Sequence, residues 1–428
     1  MMNNLPNAPS QTAPASTALR SRRICLVSPG HIASNPRLVK EADALHQAGY
    51  QVRVVAGDYM AAIRPLDQTI LSQSSWQYTK VDLGSPMGHG LRRIRQEIAR
   101  QLAQAGILSL PVATWAHSPI SIRLAKVAAS EPADLYIGHC LAALPAVAYA
   151  ARVHGARFGF DAEDYHVGEL KETPDHRTEI AVRDCLERSL LQHCHHSTAA
   201  SPGIAAAYAA RYGVAMQSIL NVFPLSEAPS SPPKLQVRMS QEPSLYWFSQ
   251  TIGPGRGIES IVQALGKMDN PVQLYLRGIS AVGYAEHLTC LAQEIGVNHR
   301  VHLLPPAPPS DMAQLAASYD LGLSIEPGRD VNNSICLGNK IFTYLLAGLP
   351  VVLSKTPSQE ELAKELGEAA LLIDIHDPTS IAIALDAFFS EPIKLEKARA
   401  RAWKLGQERY NWNVEQKYFL ESVESALT

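Results

Sequence analysis

From Arg22 onward, short runs of β-branched and aliphatic residues alternate with stretches that repeat an apolar position at helical spacing. The short runs, bounded by Gly, Pro, Asn or Asp, read as strands, and the longer periodic stretches as amphipathic helices. RRICLVSPG (22–30) is a strand closing in a Pro-Gly turn, and LVKEADALHQAG (38–49) is a helix ended by Gly49. YQVRVVAG (50–57), WQYTKVDL (76–83), ADLYIGHC (133–140), ARFGFDAE (156–163), HHSTAAS (195–201) and SILNVFP (218–224) continue the strand series, with helices between. This alternation predicts a parallel, doubly wound sheet.

The pattern then breaks. PLSEAPSSPPKLQVRMSQEP (224–243) holds five prolines and four serines, as an exposed connection would. A second alternation follows, with strands at SLYWFSQ (244–250), VQLYLRG (272–278), VHLLPPA (301–307), DLGLSIE (320–326), PVVLS (350–354) and AALLID (369–374). The last ~50 residues are helical in pattern. The expected architecture is α/β: a Rossmann-like domain over 21–223, a linker over 224–243, a second Rossmann-like domain over 244–400 and helices over 401–428 that cross back to the first domain. Two such sheets place a cleft at their carboxyl ends, where open α/β sheets bind ligands.

Composition narrows the class. The chain has 428 residues, 46% apolar and 18% charged, enough for real cores. Its 38 basic and 40 acidic side chains leave a net charge of -2, which argues against a surface tuned to nucleic acid. The six cysteines form no CxxC pair and read as reduced thiols of a cytoplasmic protein. No run approaches the ~20 apolar residues that span a bilayer. Residues 1–20 are polar and Pro-rich and lack a signal-peptide core, so they read as a disordered tail.

The densest chemistry lies in LGLSIEPGRDVNNSICLGNKIFTYLLAGLPVVLS (321–354). A strand ends at Glu326, a polar loop carries Asn333, and Asn339-Lys340 opens a helix with Asn339 as a candidate cap. A lysine in a first helical turn opposes the helix dipole, and a phosphate held there would explain it; a solvated surface lysine is the plain alternative. In TIGPGRGIESIVQAL (251–265), Gly253, Gly255 and Gly257 bare the backbone around Arg256, a second phosphate candidate. HCHH (193–196) carries zinc-type ligands, but neighbouring side chains diverge and no second pair is spaced to close a site. LRRIRQEIARQLAQAGI (91–107) puts Leu91, Ile94, Ile98 and Leu102 on one stripe, with Arg92, Arg93, Arg95 and Arg100 off it. That fits a helix packed on the sheet with a solvated basic face, or an interfacial helix meeting anionic lipid.

Asn332-Asn333-Ser334, Leu337, Asn339-Lys340, Phe342 and Tyr344, followed by Ala347 to Val352, resemble the donor-binding segment of GT-B glycosyltransferases, in particular the retaining family 4 group. The resemblance runs over nearly the whole chain from residue 22. Ser28-Pro29-Gly30 before Asn35-Pro36-Arg37 resembles the first loop of the acceptor domain, which reaches toward the donor diphosphate. Gly138-His139 resembles the family's strand-end histidine beside the donor sugar. FDAEDYH (160–166) resembles its acidic segment, with Glu163 and Asp164 as acceptor-side candidates. Arg256 stands where the family has a phosphate-binding cation. The departures are specific: Thr343 replaces the glutamate that holds ribose, its partner glutamate falls at Ile335, and Gln250 stands near the usual arginine. The missing positive charge would come from Lys340, Arg256 or Arg277, and Glu326 is an out-of-register carboxylate candidate.

The resemblance implies a retaining, metal-independent transfer of a sugar from a nucleoside diphosphate sugar to a glycan, lipid-linked or small-molecule acceptor. No cofactor and no nucleic acid are implied, and the protein would be cytoplasmic, meeting the inner face of an anionic membrane through 91–107. Catalysis would come from positioning and leaving-group stabilisation, without a glycosidase-like carboxylate pair. Two alternatives stand: a non-catalytic binding subunit of the same fold, favoured by Thr343 and Gln250, and a sugar-nucleotide epimerase, which needs an acid–base pair beside the sugar.

Overall fold

The computed structural model describes residues 22–82, 86–232 and 242–428, with backbone only for 86–89. The expected tail (1–20) lies outside these residues, as does the 233–241 stretch of the Pro-rich connection. The first sheet comprises β1 (Arg23–Ser28), β2 (Gln51–Gly57), β3 (Gln77–Val81), β4 (Leu135–His139), β5 (Arg157–Ala162), β6 (His196–Ala199) and β7 (Gln217–Ser218). The second comprises β8 (Ser244–Ile252), β9 (Gln273–Ser280), β10 (Val301–Leu304), β11 (Leu321–Ser324), β12 (Val351–Ser354) and β13 (Ala370–Ile373). Both sheets are parallel, ordered β3-β2-β1-β4-β5-β6-β7 and β10-β9-β8-β11-β12-β13. The strand expected over 218–224 shrinks to two residues. Beyond Ser218 the backbone turns to other partners: Leu220 donates its N–H to Glu415, and the Phe223 carbonyl accepts from Trp412.

The chain divides into two compact units. One holds the residues up to Phe160 with His193–His196 and Val423–Thr428; the other holds Asp161–Gln192 and Ser197–Ser422. The end of the last helix, Trp412–Leu427, thus belongs with the first unit, where the Arg157 guanidinium donates to the Ala426 carbonyl at 2.6 Å. The second sheet packs its helices through one aliphatic core that includes Leu245, Trp247, Ile261, Leu274, Leu323, Val352 and Leu385. Near-continuous burial along β1, β2, β4, β11 and β12 is what helices on both faces of a parallel sheet require.

In each sheet the strand order reverses once, between β1 and β4 and between β8 and β11. At such a point neighbouring crossovers leave in opposite directions and open a crevice outside the strand ends. The loops after β8 and β11 carry two of the segments singled out in the sequence, Arg256 among glycines and the polar run from Glu326 to Asn333.

Candidate functional site

The helix Asn339–Leu346 starts beside the crevice between β8 and β11. Gly338 occupies its cap position without a side-chain bond, so the expected cap, Asn339, is instead the exposed first residue. The Ile341 amide donates to the Gly338 carbonyl at 3.1 Å, and no side chain caps the amides before it. Lys340 is only 8% exposed, and its ammonium lies 5.6 Å from the centre of the Trp247 ring. It is not a solvated surface lysine. Burial pulls its pKa down, Glu326 opposes that, and the nearby Arg256 pulls it down further. Two cations placed to repel one another, one of them desolvated, make a site that an anion would stabilise.

The walls fit that reading. Ser324 is buried, and among the described residues its hydroxyl has no hydrogen-bond partner. A Cβ built on Gly338 would lie 3.8 Å from this oxygen and from Glu326 Oε1, so both border the helix start. Arg256 sits between Gly255 and Gly257, at φ 72° and 74°, a left-handed region that favours glycine. At Gly257 a Cβ would also come within 2.8 Å of Ile375. A register shift between Phe248 and Thr251 bends β8 just before this turn.

The polar loop after β11 is internally braced. Asp330 caps the helix Val331–Ile335 by accepting the Asn333 N–H at 2.7 Å. Asn333 accepts from the amides of Gly328 and Arg329 and donates to Glu326 Oε2 at 2.8 Å. Asn332 faces the other way: its Oδ1 accepts the Tyr165 N–H at 2.8 Å and its Nδ2 donates to Asp164 Oδ1 at 2.7 Å. Burial raises the pKa of Asp164, against the pull of His166 and of the Asn332 N–H. Cys336, at the end of the same segment, has its thiol pushed up to about 12 by burial and by Glu326 and Asp164.

Other expected residues are placed elsewhere. Thr343 is 2% exposed, and its hydroxyl donates back to the Asn339 carbonyl at 3.2 Å, so it does not reach outward as a ribose ligand would. Arg277 is engaged by the scaffold, donating to the Tyr246 hydroxyl and the Pro305 carbonyl, each at 2.8 Å. Glu163 is half-buried beside Asp164. The His193–His196 run brings no three ligand atoms together among the described residues.

In the first unit, the Gly30 carbonyl accepts the Gly57 N–H. The adjacent His31 locks that loop: its Nδ1 pairs with Asp67 at 2.5 Å, while its Nε2 faces the amide N–H groups of Tyr59 and Met60 at 3.0 and 2.8 Å. Two donors at Nε2 assign the neutral tautomer protonated on Nδ1. His139 ends β4 fully enclosed, 3.3 Å from Glu41, which in turn pairs with Arg37 at 3.3 Å. Among the described residues, the one non-glycine at positive φ follows it, Cys140 at φ 62° and ψ 156°.

The helix expected over 91–107 spans Pro86–Gln104, and its orientation reverses the packed-on-the-sheet expectation. Gln96 and Arg100 donate to the Ala116 carbonyl and Ala99 is buried, so the contact is made by this face and not by Leu91, Ile94 and Ile98. Leu91, Ile94 and Ile98 stand out in water at 56%, 58% and 52% exposure.

Trp247, Ser324, His31 and Glu41 were not foreseen as site residues, and Asn332 and Arg37 were named only within the motifs that carry the resemblance. Glu41 left a faint signal: a charge on the apolar stripe of LVKEADALHQ, one turn after Arg37.

The described residues form thirteen strands in two parallel sheets, each reversing order once, and the chain has the GT-B fold of glycosyltransferases. Solved structures agree over nearly the whole length. HepE from Anabaena, in complex with UDP and glucose, superposes with a TM-score of 0.69 at 17% identity, covering 94% of this chain and 100% of HepE. Sucrose-phosphate synthase from Thermosynechococcus elongatus gives 0.70 at 15%, covering 94% and 98%. WaaG, a glycosyltransferase involved in lipopolysaccharide biosynthesis, gives 0.57 at 15%, covering 92% and 98%. No described protein family and no curated protein sequence matches the chain. Among the described residues no helix is long and apolar enough to cross a membrane.

Proposed function

We propose that the protein is a glycosyltransferase that takes a sugar from a nucleoside diphosphate sugar with retention of configuration. The observation that carries this is the buried Lys340 at an uncapped helix start, beside Arg256 and the unpartnered Ser324 hydroxyl. Desolvated positive charge aimed at a helix N-terminus suits a diphosphate leaving group, which gathers charge as the glycosidic bond breaks. Lys340 and Arg256 would supply that stabilisation without a divalent ion. UDP-sugars are the first donors to test, since HepE of the same fold was solved with UDP. Asp164 and Glu163 would meet the acceptor, and His139, enclosed beside Glu41, would act on the donor sugar through the strand end it anchors.

The acceptor reading adds a surface. Leu91, Ile94 and Ile98 form an exposed apolar stripe with Arg93 and Arg95 exposed on the same helix, which suits the boundary of an anionic lipid layer. A lipid-linked glycan would be met there, from the inner face of the membrane.

A second reading, a binding subunit of the same fold, draws on Thr343, whose hydroxyl is spent inside its own helix. Incubation with UDP-, GDP-, ADP- and dTDP-sugars separates the two. The enzyme hydrolyses one donor slowly without acceptor and continues in EDTA; binding of every nucleotide tested with no turnover would select the subunit. Complete, metal-reversible loss in EDTA would overturn the metal-free reading.

A further inference from the structure

We propose that Asn332 is a positioning residue that aims the Asp164 carboxylate, so that the donor-side helix Val331–Ile335 sets the geometry of the acidic loop after β5. The inference rests on the reading that Asp164 meets the acceptor, and it names a residue that reading does not include.

Asn332 is 9% exposed and uses both ends of its amide on one neighbouring segment. The oxygen accepts the backbone N–H of Tyr165, and the nitrogen donates to the carboxylate of Asp164. Only a carboxamide offers an acceptor and a donor in this spacing; aspartate would bring a second negative charge and no donor. The bond ties up Oδ1, while Oδ2 accepts no hydrogen bond among the described residues, so one oxygen is anchored and the other is left for a ligand. The Asp164 carbonyl is held as well, by the Tyr208 hydroxyl at 3.3 Å.

The anchor is itself fixed. The hydroxyls of Ser201 and Ser358 both donate to the Ile335 carbonyl, at 2.9 and 2.7 Å. Gly168 and Gly203 let backbones approach: a Cβ on the first would come 3.2 Å from Val331, and on the second 2.6 Å from the Ile335 oxygen. Successive asparagines therefore face opposite ways. Asn333 braces Glu326 and the donor loop, while Asn332 braces Asp164. A displacement of the donor loop is transmitted to the acidic loop through a helix of five residues.

The charges facing Asp164 give the anchor a chemical consequence. Burial, Glu169 and Glu163 favour its protonated form, whereas His166 and the Asn332 N–H favour the carboxylate. On the donor side Cys336 also senses it. Losing the amide donor leaves the carboxyl both less well aimed and more readily protonated.

The test compares Asn332→Ala and Asn332→Gln with wild type by three measurements. Calorimetric UDP affinity should change less than about twofold, since no phosphate contact is touched; this also shows that the variants fold. Amide exchange over 164–168 should quicken in Asn332→Ala. With a working donor, kcat should fall about ten- to a hundred-fold at unchanged donor KM, the acid limb of the pH–rate profile should move to higher pH, and Asn332→Gln should recover part of both. Wild-type exchange over 164–168, or wild-type kcat with an unmoved acid limb, would overturn the proposal. If wild type transfers no sugar to any acceptor, the functional reading fails on its own. The exchange experiment then still decides whether Asn332 anchors the loop.

Discussion

Replacing Lys340 by Met keeps the length of the side chain and removes its charge from a position that is 8% exposed. Two effects of opposite sign follow. A hydrogen bond from a charged donor to phosphate contributes roughly 1.5–3 kcal/mol. At about 1.4 kcal/mol per factor of ten, the UDP dissociation constant should rise about ten- to a hundred-fold. Uridine, which lacks the diphosphate, should bind as before. The unliganded protein should respond the other way. The Lys340 pKa is held below its ordinary 10.5 by burial and by Arg256, so the unfolded chain binds more protons in that window. The resulting cost is full below the folded-state pKa and vanishes above the unfolded one. Lys340→Met should therefore be more stable than wild type near neutral pH, with the advantage shrinking as pH rises from the lowered pKa toward 10.5. UDP affinity of wild type should weaken as pH rises through the lowered pKa, and should be flat in the variant. Calorimetry with UDP and uridine, and unfolding across the same pH range, reads all of this. Equal loss for UDP and uridine, or a variant less stable than wild type at neutral pH, would refute the phosphate assignment.

Arg256→Ala should weaken UDP binding in the same selective way but by less, because its turn also offers backbone amides; a loss larger than that of Lys340→Met would reverse the two roles. Cys140→Gly should stabilise the fold by about 1–3 kcal/mol, the range for a side chain held in a glycine-only region, and a lowered urea midpoint would show that no strain is stored there. Wild type should co-sediment with anionic vesicles at low salt and be released as ionic strength rises. Replacing Leu91, Ile94 and Ile98 together by Ser should abolish this without changing UDP affinity, and a wild type that stays in the supernatant would remove the membrane reading.

The strand series was legible because parallel strands buried on both faces leave unbroken aliphatic runs such as CLVS at 25–28 and VVLS at 351–354. Where the chain feels a competing partner the pattern misleads. SILNVFP has strand composition, yet Glu415 and Trp412, nearly two hundred residues away, take the backbone groups that a ladder would need. The helix Pro86–Gln104 fails for a related reason. Its apolar period fixes which residues share a stripe but not which stripe is inward. Arg100 and Gln96 both reach the Ala116 carbonyl in Leu110–His117, so a face carrying polar side chains can pack.

The candidate site was legible in its charges and opaque in its braces. Lys340 stood out because a cation in a first helical turn contradicts local electrostatics, and Arg256 because glycines flank it. Nothing local marks Asn332 over Asn333: two identical neighbours in one short helix point to different partners, one to Glu326 seven residues back and one to Asp164 a hundred and sixty-eight residues back. Thr343 shows the converse. Its position on the donor helix aligned it with a ligand-holding glutamate, but a short hydroxyl on a buried helical face finds the carbonyl one turn earlier before it finds a sugar. A carboxylate that the structure does hold beside the helix start is Glu326, oriented by Asn333 at the end of β11. On the proposed function, a ribose held by Glu326 would move that carboxylate from the donor helix to the strand end, with Asn333 bracing it and Asn332 bracing Asp164.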